Sequence, residues 1–159
     1  MEPRRRRPPF KGYGLTESDE GMLPWSWAVE RLEEARNYWV STSRPDGRPH
    51  AMPVWGIWLD DAFFFGSGRE SAKSRNLAAN PAIVVHLESG DETVVIEGLA
   101  ERVLDDTLEK RVDEVYGRKY DFMPDSSGET DPWFVVRPRR AYAWAERNYT
   151  GSATQFDFG

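Results

Sequence analysis

The chain has no cysteine among its 159 residues and only two histidines. The first absence excludes disulfides, thiol nucleophiles and cysteine-ligated zinc or iron–sulfur centres. His50 and His86 lie far apart in no metal-ligand spacing, so a hydrogen-bonded structural role is expected for each. Long apolar runs are missing too: none approaches the ~18 residues of a membrane-spanning helix. Positive charge is in deficit, with 21 Lys and Arg against 27 Asp and Glu and a net charge of −6. A general nucleic-acid binder is therefore disfavoured. Any bound anion must be held by local cations, because the overall field repels it. The Arg4–Arg7 run is followed by no apolar stretch and does not read as a secretory signal. A cytoplasmic protein with no nucleic-acid and no membrane partner is expected. Prolines flank the arginines, and residues 1–22 read as a flexible basic and polar tail. Residues 23–159 read as one domain, long enough to bury a core.

Aromatic residues are abundant, at 13% with seven tryptophans. They supply a packed interior and flat surfaces for a ring or a partner. Trp25, Val29 and Leu32 form one apolar stripe of a helix running to about Arg36, with Ser26 as its expected cap. Strands are expected over Asn37–Arg44, Arg48–Leu59, Ala62–Gly66, Ala82–Glu88 and Thr93–Leu104. The last two are Trp133–Val136 and Arg140–Glu146. Pro45-Asp46-Gly47, Asp60-Asp61 and Ser89-Gly90-Asp91-Glu92 are turn signals between them. Short and long helices are expected over Ser71–Ala79 and Asp106–Tyr120. The pattern is a meander of hairpins with few helices. It predicts a mostly β, α+β fold: a six- to seven-stranded antiparallel barrel, since an open sheet of this length leaves bare edges. The strand Arg48–Leu59 is apolar on both faces, with Met52, Val54 and Trp58 on one and Ala51, Trp55, Ile57 and Leu59 on the other. Both faces are expected to be covered, one by the barrel interior and the other by a helix, a ligand or a second subunit.

Two segments can carry chemistry. Pro53-Val54-Trp55-Gly56 holds a proline that cannot donate to a ladder, which places this strand at an edge or bulge. Gly56 lets another group approach the backbone closely, and free edge N–H and C=O groups can hold the polar rim of a heterocycle; a barrel corner is the other reading. The second segment runs from Gly66 through Ser67, Gly68 and Ser71 to Lys73, Arg75 and Asn76. It is a strand, a small-residue loop and a helix start, where free N–H groups and nearby cations can receive an anion. Lys73 in the first turn opposes the helix dipole unless an anion sits there. Lys73 and Arg75 are two residues apart, so they leave the helix on different faces.

With these residues placed, the chain resembles the split β-barrel flavin and deazaflavin proteins. These are relatives of pyridoxamine 5′-phosphate oxidase that include the coenzyme F-420-dependent reductases of actinobacteria. The resemblance runs from Leu23 to Ala145 through Tyr38–Thr42, Asp46–His50, Pro53–Trp58, Ser71–Leu77, Asn80-Pro81 and Val94–Gly98. It implies a homodimer with two cofactor sites at the subunit interface, and hydride transfer to a small-molecule substrate. Pro53, Val54, Trp55 and Gly56 would line the ring system. Lys73 and Arg75 would take the phosphate, with Ser71 and Asn76 in support and Ser67 and Gly68 in the loop. Ala72 stands where the family often has a second basic residue. Coenzyme F-420 is preferred and FMN is the alternative, on the Trp25 region, Pro-Val-Trp-Gly and Asn-Leu-Ala-Ala-Asn-Pro. Arg69 and the N-terminal arginines are candidates for the longer F-420 tail. Trp27, Trp55, Trp58 and Trp144 are candidate pocket walls, and residues 121–132 are expected to set substrate specificity. The resemblance assigns no catalytic acid. A non-catalytic flavin, deazaflavin or haem carrier on the same scaffold is the competing reading.

Overall fold

The computed structural model describes residues 2–122 and 131–159, so most of the loop expected to set specificity lies outside the described residues. In chain order the elements are β1 (Arg4–Arg6), α1 (Trp25–Glu34), β2 (Tyr38–Ser43), β3 (Pro49–Val54), β4 (Ile57–Leu59) and β5 (Ala62–Gly66). They continue with α2 (Ala72–Ala79), β6 (Ala82–Leu87), β7 (Glu92–Arg102), α3 (Asp106–Tyr120) and β8 (Trp133–Ala145). A single 3-10 turn, the short α4 (Tyr149–Ser152) and β9 (Thr154–Asp157) close the chain.

All strands join one antiparallel sheet in the order β1-β9-β8-β7-β6-β2-β3, with β5 also on β8 and β4 on β5. The 13-residue β8 makes this possible. One of its edges pairs with β7 throughout; the other is shared between β5 at Trp133–Val136 and β9 at Arg140–Ala143. The sheet curls toward closure, but β3 and β4 are consecutive in the chain and do not pair. The barrel is split at that seam.

The expected elements are largely present, with four differences. Residues 1–22 were expected to be a free tail, yet β1 pairs with β9. Arg7 donates to the carbonyls of Ser18, Glu20, Gly151 and Ala153, and Arg6 pairs with Asp157. Fixed carbonyl acceptors hold Arg5 and Arg7, and the Asp157 carboxylate holds Arg6, while β1 itself stays exposed. The expected strand Arg48–Leu59 is broken at Trp55-Gly56 into β3 and β4. The two expected C-terminal strands are one, because a bulge opposite Glu97 and Gly98 leaves Arg139 out of register and carries the ladder on through Pro138. Finally, Pro24 occupies the cap position of α1 and no side chain caps it, so Ser26 does not.

Two apolar clusters hold the fold. Phe63, Phe65, Tyr38, Val40, Val85, Ile96 and Phe156 fill the barrel, and α1 covers one side through Trp25, Ala28 and Leu32. Phe64, Ile57, Val135 and Trp133 point the other way and pack under α3 against Val112 and Tyr120. Strand alternation thus explains why Ala62–Phe65 is apolar at every position: both faces are buried. Strand β3 is the opposite case. Within one chain it is open on both faces, with Met52 45% exposed, and Trp55 just beyond it is 38% exposed.

Candidate functional site

The loop between β5 and α2 is built on serine hydroxyls. Ser71 has extended backbone angles and caps α2, accepting from the Ser74 N–H at 3.1 Å. Its hydroxyl lies 2.7 Å from that of Ser67, and the Ser74 hydroxyl returns to the Ser67 carbonyl at 3.4 Å. The three serines therefore hold one another and fix the loop. Asn76 is buried and donates to the Thr42 hydroxyl at 3.0 Å, which ties α2 to β2. Sequence reasoning placed Ser67, Ser71 and Asn76 beside an anion; the structure gives each a structural partner as well. Gly68 faces the Asp131 carboxylate.

Lys73 and Arg75 are different. Lys73 is half-buried and Arg75 exposed, and neither has a hydrogen-bond or ion-pair partner among the described residues. No acidic residue stands in the first turn of α2 to offset the dipole. The amides of Ala72 and Lys73 belong to the first helical turn, which has no carbonyl partners within the helix. Two uncommitted cations beside such amides fit a phosphate group.

The second half of the candidate site is the β3–β4 seam. Pro53 lies on the edge strand, opposite Trp39, as its missing N–H requires. Val54 packs partly against the barrel core. Gly56 is buried, and a Cβ there would meet the Phe63 ring at 2.5 Å and the Phe64 carbonyl oxygen at 2.8 Å. Its glycine therefore answers to Phe63, which is the barrel-corner reading. Its polar groups are also taken: the Gly56 N–H donates to the Tyr120 hydroxyl at 3.0 Å, and Lys119 Nζ donates to its carbonyl at 3.0 Å. Gly56 thus offers no free backbone edge to a heterocycle, contrary to expectation.

Trp55 remains open. One face of its indole stacks on Tyr120, with centroids 4.5 Å apart and planes 5° off parallel. The Arg36 guanidinium lies 5.0 Å from the Trp55 ring and 5.7 Å from the Tyr120 ring, flanking the pair. Of the other proposed walls, Trp58 is buried in the barrel core and Trp27 lies 3.6 Å under the Arg31 guanidinium. Trp144 packs on Phe10 and Tyr149.

Lys119 and Tyr120 were not singled out from sequence. Lys119 also donates to the Tyr38 hydroxyl at 2.8 Å, and Tyr38 in turn donates to the Leu32 carbonyl. Burial lowers the Lys119 ammonium to about 8 and raises Tyr120 to about 12. Burial also raises the Tyr38 hydroxyl, with Tyr120 and Glu33 adding to the shift. The sequence signal for this cluster is Tyr116 and Tyr120 one turn apart at the end of α3, an aromatic step on a helix face. His86 contacts the Leu87 carbonyl and stacks on Trp39, whereas His50 Nδ1 is buried with no partner among the described residues, unlike the hydrogen-bonded role expected of it. Among the described residues no three His, Asp or Glu side chains could share a metal ion. Nor is any helix among them long and apolar enough to cross a membrane.

Known proteins agree with this architecture. A family model described as pyridoxamine 5′-phosphate oxidase matches residues 28–145. A pyridoxine/pyridoxamine 5′-phosphate oxidase of Azorhizobium caulinodans is 32% identical, over 92% of this chain and 62% of that protein. The chain thus spans about three fifths of the length of the curated relatives it matches. A solved structure titled F420 reductase is 27% identical with a TM-score of 0.55, covering 71% of this chain and 94% of that one. A haem storage protein from Vibrio cholerae, at 19% identity and a TM-score of 0.61, covers 69% of this chain and 85% of that one, and shares the fold. On its fold, its loop–helix signature and a family match covering most of its length, this chain belongs to the pyridoxamine 5′-phosphate oxidase family.

Proposed function

We propose that this chain is an oxidoreductase that binds coenzyme F-420, or FMN as the alternative, through Lys73 and Arg75, and passes hydride to a small organic acceptor. The observation that carries the reading is the pair of uncommitted cations at the start of α2. Spacing supports it. Asn76 ties α2 to Thr42, while Val54 pairs with Tyr38 four residues along the same strand. That is roughly 13 Å of strand, a span suited to a phosphate-bearing chain at one end and a ring at the other. Trp55 offers a flat surface near the ring end. When bound, the cofactor supplies the hydride chemistry; the chain's residues hold the anion and wall the ring. Gly56 acts by fixing the seam rather than by touching the ring.

The open edge of β3, with Met52 and Trp55 exposed, favours a homodimer whose interface carries the cofactor sites. The solved F420 reductase favours the deazaflavin. The pyridoxine/pyridoxamine phosphate oxidases are longer than this chain, and their substrates are not carried over to it. Titration of FMN and F-420 followed by fluorescence tests the reading. Binding of one of them is expected, weakened at least tenfold in a Lys73→Ala/Arg75→Ala double variant. Undiminished binding in that variant removes the phosphate assignment, and failure of both cofactors removes the function. Turnover of bound reduced cofactor with a panel of enones and quinones separates an enzyme from a carrier.

A further inference from the structure

A cleft opens between α2, the end of β7 and the start of β8. Alternation along β7 sends Val94, Ile96 and Ala100 into the barrel, where all three are buried. The next inward position is Arg102, paired with Phe134 of β8. An exposed arginine therefore follows the buried Ala100 on this face, as Glu92 precedes the buried Val94 at the other end of the strand. The cleft before Arg102 has a volume of about 380 Å³, and its lining includes Leu77, Ala100, Phe134, Ser74, Arg69 and Arg102. No carboxylate stands among the described residues that line it. Arg102 has no hydrogen-bond or ion-pair partner among the described residues. In a chain of net charge −6, the Arg102 guanidinium beside an apolar floor forms a local exception.

We propose that this cleft binds a small organic acid with an apolar body, its acidic group gripped by the Arg102 guanidinium. The floor of Leu77, Ala100 and Phe134 takes the apolar body out of water. The guanidinium fork suits the two oxygens of a carboxylate or phosphate. The volume lies at the small end of the ~300–1,000 Å³ range of ligand pockets, which limits the guest to about the size of a substituted benzoate. The cleft is separate from the proposed phosphate site, because Lys73 and Arg75 do not line it. The two meet at Arg69 and at α2, where Ser74 lines the cleft and its hydroxyl bonds back to the Ser67 carbonyl. A ligand here would therefore press on the element that carries both cations. The competing role for Arg102 is to cover the barrel mouth with its aliphatic stem.

A titration of the full chain by amide NMR with benzoate, phenyl phosphate and the neutral isostere benzyl alcohol decides between these. Saturable shifts at the Leu77 and Ala100 amides are expected with at least one of the two acids, at least tenfold tighter than with the alcohol. The tighter acid names the class. Arg102→Gln keeps most of the stem and should erase the preference while leaving the melting temperature in place. The Lys73→Ala/Arg75→Ala variant should bind the acid as the wild type does, so the result stands or falls apart from cofactor binding. Absence of saturable shifts at Leu77 and Ala100, equal binding by Arg102→Gln, or loss in the Lys73/Arg75 variant would each overturn the proposal.

Discussion

Replacing Gly56 with alanine tests whether the β3–β4 seam is a rigid joint. Gly56 is not among the glycines with positive φ, so alanine can adopt its backbone conformation and the effect is steric. The added Cβ would lie 2.5 Å from the Phe63 ring and 2.8 Å from the Phe64 carbonyl oxygen. Phe63 is fully buried and packed on Tyr38 at 4.6 Å and Phe65 at 5.8 Å, so its ring has nowhere to retreat. The Phe64 carbonyl belongs to β5, which is held by β4 on one side and β8 on the other. Overpacking of a tight core costs ~1–3 kcal/mol, occasionally more. With backbone among the obstacles, the upper end applies. At ~2–4 °C per kcal/mol for a chain of this size, a loss of about 3 kcal/mol lowers the melting temperature by roughly 6–12 °C. Gly90→Ala is the control, since nothing lies within 4 Å of a Cβ there. Thermal unfolding followed by circular dichroism gives both numbers. A Gly56→Ala protein melting within about 2 °C of the wild type, less than one kcal/mol on that scale, would show that β5 yields freely and that the seam is no rigid joint.

Two further outcomes follow from charged groups. The unfolded chain keeps the Lys119 proton to about pH 10.4, whereas burial brings the native group down to about 8. Between those values the unfolded state binds more protons, so Lys119 makes stability rise with pH across that window. Above about pH 10 the tyrosines act in the opposite sense, because unfolded tyrosine ionises near 10 and native Tyr120 only near about 12. Urea midpoints measured between about pH 8 and about pH 10 should therefore climb in the wild type and lose that climb in Lys119→Met; an unchanged slope in the variant would remove Lys119 as its source. Arg7→Ala removes donors to four carbonyls from two distant segments. With charged hydrogen bonds contributing ~1.5–3 kcal/mol each before losses to water, destabilisation of at least about 2 kcal/mol in urea is expected, together with faster proteolysis near residues 8–22. A shift within about 0.5 kcal/mol, ordinary for a surface site, would restore the view of this segment as a loose tail.

The sequence was most legible where a local rule acts alone. Asp60 and Asp61 both take left-handed backbone angles, φ 52° and 56°, in the tight turn their side chains favour. Ser71 caps α2 by the short-range hydrogen bond that its place at the helix start implies. The basic segment Ser71–Asn76 was found because serine, lysine and arginine at a helix start carry their meaning within a few residues. Distance along the chain is what hid the rest. The hydrogen bonds that close the seam join Gly56 to Tyr120 and Lys119, 64 and 63 residues along the chain. The arginine run looked solvated by composition because the acceptors of Arg5 and Arg7 are backbone carbonyls, which every residue type has, and the Asp157 partner of Arg6 lies near the far end of the chain.

The two-faced apolar pattern of Arg48–Leu59 needs a different explanation. Beyond the seam the pattern is satisfied within the chain: Ile57 packs under α3 and Trp58 inside the barrel. Before the seam it is not, since Met52 on the edge strand β3 and Trp55 just after it stay open, and β3 has no neighbour beyond β2 among the described residues. One stretch of sequence thus encodes two kinds of burial, and the break falls at the glycine that turns the strand from one to the other. An edge left apolar is an aggregation hazard unless something covers it. The proposed dimer and its cofactor would cover the same residues, so chain association and cofactor binding should strengthen together. Sedimentation of the full chain with and without FMN or F-420 measures that coupling directly. A dimer whose dissociation is indifferent to saturating cofactor would place the ring elsewhere than on this edge.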